Sequence, residues 1–345
     1  MTYLVVQKWS NTKNNHAGMF HLCKLLVQNF PDKYELISIP DFKNQSTGLL
    51  SLFYNLFLSN FIWHSYYLFI SIGLFFKIKR DDIIILFEYL TPGIRQDYII
   101  YTLKFSGHKN IRVFGFVHLT PSILDVSFST RIISKRLELL NGAFTFGSSL
   151  TDFLLKFSNI SISTFRHYSD LNFYKPSNSF STNKRINVLV IGQQARNYSI
   201  LLELVKSIKY LNFYIIVSDF NIVKDLLNIP NVFVYSNISE DKLIQIMNGC
   251  HCSLGMYDDV VGSNVLSNCI SMGIISLVND VGSVRDYLTI NDSFFCNNID
   301  EYVNALFFLK NNPDKLNGMR DLLINKRKLL DFKIFHYELE KLLNV

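Results

Sequence analysis

The stretch VGSNVLSNCISMGIISLVNDVGSVRDY, Val261 to Tyr287, decides the fold, because it reads as two consecutive joints from strand to helix. Ahead of it, CSLGMY (Cys252 to Tyr257) is a short apolar run suited to a buried parallel strand, and Asp258-Asp259 breaks it. In Gly262-Ser263-Asn264 the glycine lets backbone approach a ligand, while Ser and Asn are residues that cap a helix, here one over Val265 to Met272. Gly273 ends that helix, Ile274 to Val278 is a second buried strand, and Asp280-Val281-Gly282-Ser283 is its exit turn into a helix starting over Val284 to Leu288. Two helix N-termini then open at the carboxyl ends of neighbouring parallel strands, where free N–H groups favour phosphate or sugar oxygens.

Outward from this stretch the chain repeats strand, loop and helix. Tyr3 to Gln7 is a strand, and the polar loop from Trp9 leads through Asn15, His16, Ala17 and Gly18 into a helix over Met19 to Asn29; the loop is not GxGxxG, which argues against an ordinary dinucleotide enzyme. Tyr34 to Ile39 is the next strand. Ile83 to Tyr89 and Arg112 to Val117 are two more, ending in Glu88-Tyr89-Leu90-Thr91-Pro92-Gly93 and His118-Leu119-Thr120-Pro121. Polar groups at strand ends before turn-forming residues make Glu88 and His118 candidates for chemistry. Ala143 to Phe146 and Ile160 to His167 complete a first half. The Ser- and Asn-rich run 177–185 is a linker, and Asn187 to Ile191 opens a second half. Gly192 opens the turn after that strand, and Arg196, before a helix over Tyr198 to Tyr210, suits a diphosphate because guanidinium and helix N-terminus add their fields. Strands Phe213 to Val217 and Val232 to Tyr235 follow, and the residues from Asp300 close the chain as helices.

The letters GSN, a helix ending in MG, DVGS and RDY occur in one order at Gly262–Asn264, Met272-Gly273, Asp280–Ser283 and Arg285–Tyr287. In that order they resemble the carboxy-terminal half of group 1, or family 4, glycosyltransferases of the GT-B fold, in a bacterial surface-polysaccharide branch. The resemblance implies an α/β fold of two Rossmann-like parallel-sheet domains facing a cleft: residues 1–176 binding acceptor, 177–330 binding nucleotide sugar, and a last helix at 331–345 crossing back to the first domain. It implies that Asn15, His16 and Gly18 lie at the donor phosphates and acceptor. It further implies that His118 approaches the donor sugar and the reaction centre and that a basic residue here, Arg196, neutralises the leaving diphosphate. From the residues themselves, Glu88 is a second catalytic candidate or else a strand-end carboxylate capping the next helix, and Gly192 with the N–H groups near Gly262, Ser263, Asn264, Gly282 and Ser283 is a candidate for holding the diphosphate. The family's two glutamates, eight residues apart, would fall at Val260 and Asn268. Neither is a carboxylate, so Asn268 offers sugar hydroxyls only an amide.

The function implied is transfer of a hexose from a UDP- or GDP-linked sugar to a lipid-linked or polysaccharide acceptor, retaining and metal-independent, without a separate cofactor. A non-catalytic nucleotide-sugar-binding subunit and a GT-B epimerase or phosphorylase are the alternatives. Composition agrees with a folded two-domain enzyme: 345 residues, 49% apolar and 14% aromatic. The net charge of +6 suits anionic phospholipid or nucleotide diphosphates and is too diffuse for nucleic acid. Asp258-Asp259 lacks the DxD spacing of a metal site, and no G-x-S-x-G elbow appears. The five cysteines sit mostly in apolar runs as buried thiols, and MTYLVVQKWS reads as a first strand and not a signal peptide, so the protein is expected in the cytoplasm or at the inner face of the cell membrane. Leu49 to Phe76, followed by Lys77-Ile78-Lys79-Arg80, reads as a buried helix pair, an interfacial segment giving 49–80 a peripheral membrane contact, or a span.

Overall fold

The computed structural model describes residues 1–9, 15–42, 58–105, 111–177, 185–192 and 196–343. The chain divides into two compact units, Met1–Phe165 and Arg166–Val345. Most of the expected linker, the first part of the 49–76 segment and the turn 193–195 lie outside the described residues.

The first unit is a parallel sheet in the order β2-β1-β3-β4-β5-β6, six strands among the described residues. These are β1 (Thr2–Lys8), β2 (Tyr34–Pro40), β3 (Ile83–Leu86), β4 (Arg112–Val117), β5 (Gly142–Thr145) and β6 (Ile162–Thr164). Unbroken burial of Ile83 to Leu86 and Val113 to Val117 reflects helices on both faces, which is why these strands read as continuous apolar runs. β3 stops earlier than its apolar run suggested: Glu88 and Leu90 take φ of 68° and 59°, and Tyr89 N–H turns to the Phe116 carbonyl at 2.9 Å. Extended backbone cannot pass through that conformation. Rings of Phe87, Phe116, Phe144, Phe146 and Phe165 pack together at this end of the sheet, with Phe87 stacked on Phe116 at 4.8 Å.

The second unit is a parallel sheet ordered β12-β11-β10-β7-β8-β9. Its strands are β7 (Asn187–Ile191), β8 (Asn212–Ile216), β9 (Val232–Tyr235), β10 (Cys252–Gly255), β11 (Ile275–Val278) and β12 (Ser293–Phe295). The first joint of the deciding stretch forms as its residues dictate. Ser263 Oγ accepts from Leu266 N at the head of the Asn264–Met272 helix, and Gly273 ends it at φ 67°.

The second joint differs from expectation: Val284–Asp286 is a single 3₁₀ turn and no α-helix stands between β11 and β12. Only 284–292 separate the exit turn from β12, and Tyr287 and Leu288 within them are buried, at 3% and 1% exposure. The Tyr287 hydroxyl accepts from His167 N at 2.8 Å, which ties the connection down before a second helical turn can form. β12 itself, three residues long, was not anticipated.

All five cysteines are free and buried. Burial pushes the Cys269 thiol up to about 11 and that of Cys296 up to about 12, so both are protonated at neutral pH.

Candidate functional site

In the first unit, β3 and β4 are neighbours, and their carboxyl ends bring Glu88 and His118 together. Glu88 Oε2 lies 3.1 Å from His118 Nε2; the carboxylate side chain is 6% exposed and the imidazole 26%. The positive φ of Glu88 costs about 1 kcal/mol in a residue with a Cβ, and it aims the side chain at the neighbouring strand end. Burial alone would lower the imidazolium, but the charge of Glu88 and the hydrogen bond to it outweigh burial, so His118 titrates above its ordinary value. Its other ring nitrogen, Nδ1, is buried without a hydrogen-bond partner among the described residues. The same is true of Thr91 Oγ1 and of both polar side-chain atoms of Gln96, which follow Glu88 in the chain. Buried polar atoms are nearly always bonded, so these stand out among the described residues. Sequence reasoning missed Thr91 and Gln96, since solvation of a side chain carries no local signal.

Asn15, His16 and Gly18 stand where β1 gives way to the Met19–Asn29 helix, and β1 is the neighbour of β3. Gly18 has φ 85° and open space where a Cβ would stand. The rings of His16 and His21 meet at 5.0 Å. Glu88 is felt within this helix: burial pushes the Cys23 thiol up, and the Glu88 charge adds to the shift.

In the second unit the site is assembled around Arg196. β10 lies between β7 and β11, so the exits of these three strands are adjacent. Arg196 forms an antiparallel bridge with Tyr257, and its guanidinium sits 4.5 Å over the Tyr257 ring. Gly192, at φ 86°, leaves the space that the guanidinium fills: an added Cβ would meet Arg196 Nε at 3.2 Å. The next helix, Tyr198–Ser207, is capped by Asn197, whose side chain accepts from Ser199 N and Ile200 N. No carboxylate pairs with Arg196 among the described residues. A half-buried guanidinium stacked on an aromatic face and without a paired carboxylate can bind an anion.

The exits of β10 and β11 are stitched together. Asn279 Oδ1 accepts from Tyr257 N at 2.8 Å and Asn279 Nδ2 donates to Tyr257 O at 2.6 Å. Ser283 N donates to Val260 O at 2.8 Å. Gly282 has φ 55°, and a Cβ there would stand 2.1 Å from Val260 O, so only glycine fits. Gly282 and Ser283 are therefore held against Val260, two residues before Gly262.

Asn268 sits one turn into its helix at 7% exposure. Its Oδ1 accepts from Ser169 Oγ at 2.9 Å, and its side chain also bonds the Tyr174 hydroxyl, which lies 3.3 Å from Glu240 Oε1. This amide is engaged within its own unit. The residues that engage it, Ser169 and Tyr174, are 99 and 94 positions away in sequence, too distant for any local pattern to reveal. Among the described residues, no three His, Cys, Asp or Glu side chains are grouped to hold a metal ion.

The architecture is shared with solved structures of low sequence identity. The sucrose-phosphate synthase of Thermosynechococcus elongatus superposes with a TM-score of 0.74 at 10% identity, over 99% of this chain and 97% of that one. HepE of Anabaena, in a crystal structure with UDP-glucose, gives 0.70 at 10% identity over 100% and 99%. TarM of S. aureus gives 0.64 at 13% identity over 80% of this chain and 57% of TarM, so the chain spans little more than half of TarM's length. The likeness establishes the fold: two Rossmann-like parallel-sheet domains of the GT-B kind. No protein-family model matches the sequence, and no curated protein matches it.

Proposed function

We propose that this protein is a glycosyltransferase that moves a hexose from a nucleoside diphosphate sugar, UDP- or GDP-linked, to a lipid-linked or polysaccharide acceptor at the inner face of the cell membrane. The observation that carries the reading is Arg196, stacked on Tyr257 beside Gly192 with no carboxylate paired to it among the described residues. HepE, of the same fold, has been crystallised with UDP and glucose and with UDP-glucose.

In the proposed reaction the glycosidic bond to the diphosphate breaks as the acceptor hydroxyl bonds to the anomeric carbon on the face the diphosphate leaves, so configuration is retained. The hydroxyl proton goes to the departing phosphate oxygen. Charge develops on that phosphate, and Arg196 with the N-terminal partial charge of the Asn264–Met272 helix stabilises it more in the transition state than in the ground state. These groups take the part of a metal ion, and no cofactor beyond the donor is used. His118, fixed by Glu88, directs its open Nδ1 at the sugar, and Thr91 and Gln96 offer further partners to hydroxyls. Asn15, His16 and Gly18 face the phosphates and acceptor, and Gly262, Ser263, Asn264, Gly282 and Ser283 line the diphosphate pocket.

The test is a thermal-shift screen of UDP- and GDP-hexoses followed by transfer of labelled sugar to membrane-extract acceptors. A ligand of the native state raises Tm. One nucleotide sugar that does so and is transferred supports the reading, and failure of every one to bind removes it. Asn268 favours a second reading, a nucleotide-sugar-binding subunit without turnover, because its amide is already committed to Ser169 and Tyr174. Binding without transfer to any acceptor selects that reading, and turnover of donor alone selects an epimerase.

A further inference from the structure

The Ser59–Lys77 helix is apolar on two opposite faces. One stripe, Trp63, Tyr67, Ile70 and Leu74, is buried: Trp63 Nε1 donates to the Pro40 carbonyl and the Tyr67 hydroxyl to Gln7 Oε1, both at 3.3 Å. The other stripe, Phe61, Leu68, Ile72 and Phe76 with Phe69 alongside, points to solvent, and its three phenylalanines are 71%, 71% and 80% exposed. The spacing of both stripes follows the helical repeat. The Asp97–Phe105 helix lies beside this one, with the rings of His64 and Tyr98 5.5 Å apart, and adds Tyr101 and the almost wholly exposed Phe105. Large exposed aromatics grouped on one surface are unusual for a side that meets only water.

Charge decides what the surface meets. The exposed stripe carries no acidic residue. At its carboxyl end Lys77 pairs with Glu35, whereas Lys79 and Arg80, both exposed, have no carboxylate partner among the described residues; Asp81 is the one exposed acid beside them, and Asp82 is occupied by the N-terminal amine. Lys104 is exposed next to Phe105. A second copy of the chain would bring the same cations and, on this stripe, no acid to meet them. An anionic bilayer offers acyl chains to the rings and phosphates to the cations. No helix among the described residues is long and apolar enough to cross a membrane.

We propose that the outward face of the Ser59–Lys77 and Asp97–Phe105 helices, with Phe61, Phe69, Phe76 and Phe105 as anchors and Lys79 and Arg80 at the rim, docks the protein on anionic phospholipid. The inference rests on the reading of a membrane-presented acceptor and names the surface that reaches it.

The experiment uses the full chain without nucleotide sugar or acceptor, so its outcome is separate from whether transfer occurs. Co-sedimentation is measured with vesicles of phosphatidylcholine alone and with added phosphatidylglycerol. The wild type binds the anionic vesicles and is released by salt, whereas the combined variant Phe61→Ser, Phe69→Ser, Phe76→Ser binds about tenfold or more weakly. Because these side chains are exposed, its far-UV circular dichroism and Tm match the wild type. A second variant, Lys79→Glu with Arg80→Glu, keeps the rings and loses several-fold affinity for anionic vesicles alone. Absence of wild-type binding to anionic vesicles at low salt overturns the proposal, as does equal binding by the serine variant. A concentration-dependent dimer in sedimentation velocity that the serine variant abolishes assigns the face to a second copy and overturns it as well.

Discussion

The ends of β3 and β4 in the first unit and of β7 and β10 in the second both carry charge, but in opposite states. Glu88 and His118 pair at 3.1 Å and leave one buried ring nitrogen without a partner among the described residues. Arg196 is stacked on Tyr257 without a counter-ion among the described residues. A hydrogen-bonded pair, though costly to desolvate, fixes the orientation of the imidazole; a guanidinium without a counter-ion keeps its field for an anion. On the proposed reading the first orients and the second attracts. Substitutions in the two places therefore have different kinetic signatures.

The largest effect is expected at the hydrogen-bonded pair. His118→Ala lowers kcat by roughly a hundredfold or more and leaves donor KM within a few-fold, as loss of a group acting mainly in the transition state does. Steady-state kinetics check this split, and a KM effect alone would merge the two regions into one binding surface. Arg196→Ala weakens donor binding by about ten- to a hundredfold, the worth of a charge-assisted hydrogen bond. Calorimetric titration reads it, and Arg196→Lys restores only part because a point charge does not stack on Tyr257 as a planar guanidinium does.

Glu88→Gln sharpens the contrast through pH. His118 is raised because Glu88 outweighs burial, so the folded protein holds this proton more tightly than the unfolded chain. The resulting stabilisation is fully present below the unfolded value of about 6.5 and is lost as pH rises through the raised folded value. With glutamine only burial remains, the folded value falls below the unfolded one, and the sign reverses. Denaturant unfolding across pH 5 to 9 in both proteins measures it, and parallel curves would contradict the pairing.

The smallest expected effect is at Gly255, where an added Cβ would stand 2.4 Å from the Tyr257 ring. Gly255→Ala displaces that ring from beneath Arg196 and weakens donor binding by about three- to tenfold, with His118-dependent kcat unchanged.

Much of this was legible in the sequence. Buried parallel strands read as unbroken apolar runs, and Ser263 and Gly273 bracket their helix by residue type alone. Glu88 and His118 were legible as polar residues at strand ends, though nothing local shows that they touch. Asn268 was placed through the spacing to Gly273, but its bonds to Ser169 and Tyr174 depend on chain segments nearly a hundred residues apart. The helix expected after β11 failed for a similar reason: Tyr287 is tethered by His167, 120 positions away, and a distant bond outweighed local propensity. Tyr257 was visible only as part of a strand, because a ring's role as platform is set by the cation above it.

A crystal structure of the protein with UDP bound tests the central claim most directly. The account predicts the diphosphate within hydrogen-bond distance of the Arg196 guanidinium, with the Tyr257 ring still beneath it and the exit turns at Gly262 and Gly282 against the phosphates. A diphosphate bound away from Arg196, or an Arg196 that leaves Tyr257 to pair with a carboxylate instead, would contradict it.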